Sequence, residues 1–205
     1  MKVLAILGAS GHGKVVADIA ENLGWQNIVF FDDAWPSLSV IGKWRVLGNF
    51  ESLVVSDIDS VFVAIGDANV RINKLSLLKS KNKNLETIIH PSAEISRYSS
   101  VGEGSIVCEG AVIKAFSKVG CATIINSNAT IGHDCLISDA CHISLGSSVA
   151  GNVTIGSRSW VGNGASVRQN IKIGSNVMIG TGAVVVNHID SDLVVVGNPA
   201  RPIVK

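Results

Sequence analysis

From Ile89 onward, every sixth residue is Ile or Val, at positions 89, 95, 101, 107, 113, 119, 125, 131, 137, 143, 149, 155, 161, 167, 173, 179 and 185. The fourth residue after each is small or β-branched, as in Ala93, Ser99, Ala111, Ser117, Thr123, Cys135, Cys141, Ser147 and Val153. A period of six fits neither the 3.6-residue helix nor the 3.5-residue coiled coil. It fits a solenoid in which six residues make one short strand plus a corner. Three such faces close a triangular coil of 18 residues, and stacked coils hydrogen-bond at about 4.8 Å. Large branched and small side chains then alternate into a narrow prism, with Cys135 and Cys141 as small core residues. Gly or Asn recurs between them, as at Gly104, Gly110, Asn128, Gly146, Asn152, Gly164, Asn170, Asn176 and Gly182. These residue types accept the left-handed backbone of a tight corner.

The first 80 or so residues follow another pattern. Val3–Leu7 reads as a buried strand, Gly8–Gly13 as a loop and Lys14–Leu23 as a helix. Ile28–Phe31 is a second strand ending at Asp32-Asp33, Val61–Ile65 a third ending at Gly66, and Val70–Lys81 a second helix. Strands alternating with helices predict a small parallel α/β domain. The expected organisation is an α/β, Rossmann-like domain over 1–84 followed by a parallel β-helix with a short tail over 85–205, with His90-Pro91 marking the passage into the repeat.

Composition narrows the function classes. Hydrophobic residues make up 47 % of the 205 and charged residues 16 %, as in a packed globular protein. A net charge of +1 gives no electrostatic case for nucleic acid or an anionic membrane. No apolar run approaches the roughly 18 residues of a spanning helix. The stretch Met1–Leu7 is too short for a signal core and runs into a glycine turn. The cysteines at 108, 121, 135 and 141 form no CxxC pair, which predicts free thiols in a cytoplasmic protein.

Three features could carry chemistry. Gly8-Ala9-Ser10-Gly11-His12-Gly13 joins a strand to a helix, where glycines admit a close backbone and the helix N-terminus favours phosphate. Asp32 and Asp33 follow about 20 residues later, where a carboxylate can meet ribose hydroxyls. The glycines are spaced GxxGxG rather than GxGxxG, so a turn that serves packing alone is the competing reading. His133 and Asp134 fall at a corner, outside the prism, and an adjacent carboxylate can orient an imidazole for general-base work; a plain surface histidine is the alternative. Residues 18 apart stack, so Ile106, Ile124, His142, Trp160 and Met178 form an outward, mostly apolar stripe. That stripe predicts contact with another subunit and would put His142 in an intersubunit groove. His133 and His142 have no third close partner and His188 lies beyond the repeat, so no metal site is expected.

Taken together, GASGHGKVVADIA (8–20), FFDD (30–33), VFVAIGDANVR (61–71), IIHPSA (88–93), IGHDCLISDACHIS (131–144), AGNVTIGSRSWVGNGASV (150–167) and VGNPARPI (196–203) resemble a known family across essentially the whole chain. It is the bacterial nucleotide-sugar N-acetyltransferases related to sialic-acid O-acetyltransferase. The resemblance implies a left-handed coil, a homotrimer, a nucleotide-activated amino sugar on the N-terminal domain, and acetyl-CoA as co-substrate along the β-helix between subunits. It further implies that Ser10, Gly11 and His12 cradle the sugar-nucleotide phosphates, with Asp32 and Asp33 near the base or ribose and Gly66 lining the pocket. His133 resembles the catalytic base and Asp134 its orienting carboxylate, where some members carry Glu. His142, Gly151, Asn163, Thr181 and Arg201 match acetyl-CoA contacts, Arg201 as a phosphate partner. The implied reaction is acetylation of a nucleotide-linked 4-amino-4,6-dideoxy sugar, in surface-glycan biosynthesis. O-acetylation of a sialic acid or other sugar hydroxyl, and a non-catalytic nucleotide-sugar or CoA-binding solenoid, are the alternatives. The sequence leaves UDP, GDP and dTDP, the sugar stereochemistry and acyl groups beyond acetyl open.

Overall fold

A computed structural model describes residues 2–203. The chain divides into two compact units, one up to Pro91 and one from Ser92, where the sequence places the boundary at 84/85. The strand Ile88–Ile89 packs on the first helix of the N-terminal unit, which carries that unit past residue 84.

The N-terminal unit contains β1 (Val3–Leu7), α1 (Gly11–Asn22), β2 (Asn27–Phe31), β3 (Val40–Ile41), β4 (Trp44–Gly48), α2 (Phe50–Val55), β5 (Ser60–Val63), α3 (Ala68–Ser80) and β6 (Asn84–Leu85). Its sheet runs β3-β4-β2-β1-β5-β6, parallel throughout except for the β3–β4 hairpin. Leu4, Ala5 and Ile6 are fully buried, as a central parallel strand covered on both faces requires. Helix α1 starts at Gly11, not at Lys14 as the glycine content suggests. Ser10 takes the N-cap with extended backbone, and Gly13 sits in the first turn. A Cβ on Gly13 would collide with the Gly8 carbonyl and the Phe30 ring, so this glycine serves close helix–strand packing. Helix α3 starts at Ala68, because Asp67 Oδ1 caps it by accepting from the Val70 amide at 2.8 Å.

The C-terminal unit is a parallel β-helix of two-residue strands on three faces. The first face carries Ile106–Val107, Ile124–Ile125, His142–Ile143, Trp160–Val161, Met178–Ile179 and Val194–Val196. The second carries Glu94–Ile95, Val112–Ile113, Thr130–Ile131, Ser148–Val149, Ser166–Val167 and Val184–Val185. The third carries Ser100–Val101, Lys118–Val119, Leu136–Ile137, Thr154–Ile155 and Lys172–Ile173. Register advances by one 18-residue coil, pairing Ile124 with His142, His142 with Trp160, and Trp160 with Met178. The inward residues Ile131, Ile143, Ile155 and Val161 are fully buried, each contributing on the order of 1.5–3 kcal/mol. From Gly104 to Gly182, every sixth residue turns a corner with positive φ. Gly, Asn and Asp fill most corners, but Phe116, Ala122, Ala140 and Arg158 fill the others. Beyond the last coil, Val195 and Val196 pair antiparallel with Pro202 and Arg201, closing the tail.

Candidate active site

His133 stands at the corner between the second and third faces. Asp134 turns that corner at φ +57°, a geometry Asp tolerates better than most residues. Its Oδ2 lies 2.7 Å from His133 Nδ1. A carboxylate there holds the ring proton on Nδ1 and leaves the Nε2 lone pair directed outward. Both side chains are more than half exposed. One coil further on, Gly151 lies under the imidazole, where a Cβ would sit 2.5 Å from Nε2 and 2.7 Å from Cε1. Backbone bonds lock the corner: the Asp134 amide donates to Ala115 O at 3.0 Å, and the Asn152 amide to His133 O at 2.8 Å.

His142 is outward on the first face. Its ring stacks on Trp160, centroids 4.8 Å apart and planes at 22°, and Trp160 Nε1 donates to Ser144 Oγ. Asn126 Oδ1 accepts from the Ser127 amide, which turns Asn126 Nδ2 toward His142 Nε2 at 3.2 Å. Nε2 is thereby the acceptor and the ring proton resides on Nδ1. The stripe differs from expectation at one end. Ile106 and Ile124 are buried within the chain itself, and only Trp160 and Met178, 42 % and 46 % exposed, remain as open apolar surface. Hexad position fixed the direction of these side chains but not their exposure.

Asn163 and Thr181 are exposed in one corner column between the first and second faces, below Leu145. The Gly164 amide donates to Leu145 O and the Gly182 amide to Asn163 O, both at 2.9 Å. Arg201 is exposed on the tail and lines a cavity of about 280 Å³ with His188, Asp190 and Pro202. His133 is not brought together with His142. A corner between the second and third sides of a triangle lies opposite the first side, so one chain holds the two histidines on opposite parts of its prism.

In the N-terminal unit, the expected residues gather at the carboxyl ends of β1, β2 and β5, where β1 has neighbours on either side. Such a switch point is the usual ligand crevice of an open parallel sheet. Ser10 caps α1 without a side-chain bond, and the first bond inside the helix is from the Lys14 amide to Ser10 O. The amides of Gly11, His12 and Gly13 thus precede the helical ladder, the arrangement that receives anions. His12 is held at about 4 against an ordinary 6.5, first by burial and then by the charge of Arg71. It is therefore a neutral hydrogen-bonding group at pH 7, and its buried Nε2 meets no partner among the described residues.

Asp32 is committed to the backbone. Oδ2 accepts from the Ala9 amide at 2.7 Å and Oδ1 from the Ala34 amide at 2.9 Å, which pins the glycine loop. Asp33 Oδ1 accepts from the Phe50 amide at 3.1 Å. Gly8, at φ +109°, must be glycine because a Cβ would stand 2.7 Å from Ala64 O. Gly66 is exposed, and its carbonyl accepts from Arg71 at 2.7 Å, as Ile65 O does at 2.8 Å. Arg71 is 1 % exposed. Sequence reasoning missed it, as it missed Asn126. The only signal for Arg71 was its place at the end of the VFVAIGDANVR segment.

Two of the four thiols, Cys135 and Cys108, are unsuited to attack. Cys135, next to Asp134, is buried, which raises its pKa above the ordinary thiol range, and Sγ faces Ala150 O at 3.1 Å. Burial pushes Cys108 up to about 12. Among the described residues, no group of three or more His, Cys, Asp or Glu could hold a metal ion, and no helix is long and apolar enough to cross a membrane.

Hexads that close into a parallel β-helix, with an outward histidine braced by its neighbouring carboxylate, define the hexapeptide-repeat acyltransferase class. The bacterial transferase hexapeptide family (six repeats) matches residues 152–187, and the PglD N-terminal domain family matches residues 3–78. The acetyltransferase domain of PglB from Neisseria gonorrhoeae is 38 % identical, with a TM-score of 0.95 over 99 % of this chain and 100 % of that one; it has also been solved with acetyl coenzyme A. A variant of perosamine N-acetyltransferase from Caulobacter crescentus, solved with CoA and GDP-perosamine, is 32 % identical, with a TM-score of 0.95 over 100 % of this chain and 98 % of that one. UDP-N-acetylbacillosamine N-acetyltransferase from Bacillus subtilis is 32 % identical over 114 residues, 52 % of this chain and 51 % of that protein, so the match spans about half its length. The chain belongs to the bacterial nucleotide-sugar N-acetyltransferase family, and its coil is the left-handed β-helix of that family.

Proposed function

We propose that this chain transfers acetyl from acetyl-CoA to the 4-amino group of a nucleotide-linked 4-amino-4,6-dideoxy sugar, with His133 as general base. The observation that carries the reading is the 2.7 Å pairing of His133 Nδ1 with Asp134, which leaves Nε2 outward over the small Gly151. The neutral amine attacks the thioester carbonyl carbon and the C–N bond forms. Nε2 takes the proton from the nascent ammonium, the C–S bond breaks, and the imidazolium returns the proton to the departing thiolate. Holding both substrates together supplies much of the rate, so no acyl-enzyme is required, in keeping with the buried, protonated Cys135.

Ser10, Gly11, His12, Asp32, Asp33 and Gly66 are assigned to the nucleotide-sugar. The amides at the start of α1 serve the phosphates, and neutral His12 a hydrogen bond. His142, Gly151, Asn163, Thr181 and Arg201 are assigned to acetyl-CoA. The position of His133 opposite His142 in one prism supports a homotrimer, in which the first face of one copy meets the His133 corner of the next. The exposed Trp160 and Met178 supply apolar surface for that contact. Domain roles follow the division near residues 84–91, sugar nucleotide before and acyl donor after, and a cytoplasmic location suits a chain with four free thiols. The test is thiol release from acetyl-CoA across nucleotide-linked 4-amino and hydroxy sugars. Release with the amino acceptors supports the reading; release only with hydroxyl acceptors overturns it.

A further inference from the structure

Phe116 breaks the corner pattern of the coil. The other left-handed corners from Gly104 to Gly182 hold Gly, Asn, Asp, Ala or Arg, and Phe116, at φ +62°, is the one aromatic among the described corners. A bulky side chain is disfavoured in this conformation, and burial does not compensate here because Phe116 is 60 % exposed. It stacks on Tyr98, itself 59 % exposed, with ring centroids 5.2 Å apart and planes at 22°. Tyr98 and Phe116 are 18 residues apart, and Asp134 follows after another 18, so the aromatic pair stands on the corner column of the His133–Asp134 pair. The residues flanking Phe116 are bonded to that corner. Ala115 O accepts from the Asp134 amide at 3.0 Å, and Ser117 Oγ accepts from the Cys135 amide at 3.0 Å.

We propose that Tyr98 and Phe116 form the wall of the acceptor-sugar subsite and select a deoxy hexose. The proposal rests on the acetyl-transfer reading above. An exposed aromatic ledge fits the apolar C–H face of a sugar ring and its C6 methyl group. The ledge stands one coil repeat, about 4.8 Å, from the base corner, comparable to the width of a pyranose ring. A sugar lying along the corner would set its ring on the ledge and its amine at His133 Nε2. Ala115 and Gly151, on either side of His133 in its own column, are small enough to leave that approach open. A 6-hydroxy sugar would press an unpaired hydroxyl against aromatic carbon, which disfavours it.

The test uses the full chain in its native oligomer, with Phe116→Asn, the residue found at several other corners, and Tyr98→Ser as a second variant. Steady-state kinetics compare a nucleotide-linked 4-amino-4,6-dideoxy sugar with its 6-hydroxy analogue, alongside sedimentation and thermal melting. We expect Phe116→Asn to raise the acceptor KM about tenfold and to erode most of the 6-deoxy preference. The acetyl-CoA KM, the oligomer mass and the melting temperature should hold, and Tyr98→Ser should act in the same direction. Unchanged acceptor KM and preference in both variants overturn the proposal. So does loss of oligomer mass along with activity, which would assign the rings to a contact between copies. A wild-type protein that acetylates no amino sugar removes the underlying reading and the ledge with it; an active wild type with indifferent variants removes the ledge alone.

Discussion

Asp134 turns a corner of the coil at φ +57° and, with its own carboxylate, holds His133 Nδ1 at 2.7 Å. The backbone demand on this residue and the role proposed for its carboxylate are separable. Asp134→Asn keeps a residue that accepts the left-handed corner but offers an amide where the imidazole needs a fixed acceptor. The melting temperature should move little, while kcat falls on the order of 10–100-fold. Kinetics and a thermal melt of one preparation decide it, and unchanged kcat would mean the carboxylate serves only the turn.

Gly151 tests the same ring from below. Its φ is not among the positive values, so Ala costs the backbone little. A Cβ would nevertheless lie 2.5 Å from His133 Nε2. Gly151→Ala should displace the imidazole and lower kcat about tenfold or more with the fold intact. Full activity would show that the ring works from another position.

The placement of His133 and His142 on opposite parts of one prism predicts complementation. His133→Ala and His142→Ala oligomers should each be weak. Dissociated together and reassembled, they should recover part of the wild-type rate, because some interfaces then pair an intact corner with an intact face. Recovery is read by thiol release, and none in proven mixed oligomers would mean that the two histidines do not share a site across an interface.

His12 predicts an acid-side loss of stability. Its folded value of about 4 lies below the ordinary 6.5, through burial first and the Arg71 charge second. Below pH 6.5 the unfolded chain takes up a proton that the fold refuses until about pH 4. The contribution is therefore intact above 6.5 and is lost as pH falls toward 4, by at most about 3 kcal/mol. Urea unfolding at pH 7 and pH 5 should show the loss, and His12→Gln should reduce it. An equal loss in the variant would locate the acid sensitivity elsewhere.

The solenoid was legible because its period is enforced by packing: an inward Ile or Val every six residues leaves no other register. The corners were legible where Gly, Asn or Asp fills them, and illegible at Phe116, Ala122, Ala140 and Arg158, whose residue types do not announce positive φ. In the N-terminal unit, the first expected strand is present over Val3–Leu7 as read and the other two strands and two helices with ends shifted, whereas the β3–β4 hairpin, α2 and β6 carry no pattern of their own and are set by tertiary pairing. At the site, His133 and Asp134 could be placed together from hexad position alone. The commitment of Asp32 to the Ala9 and Ala34 amides could not, nor could the burial of Arg71 against Ile65 O and Gly66 O, since both depend on how loops meet.

The most direct measurement is thiol release by His133→Ala, using the nucleotide-linked 4-amino sugar the wild type accepts, with acetyl-CoA affinity and oligomer mass measured on the same sample. A general base at His133 predicts turnover lower by about 100-fold or more, with acetyl-CoA binding and mass unchanged. Turnover near that of the wild type in an intact oligomer would contradict it.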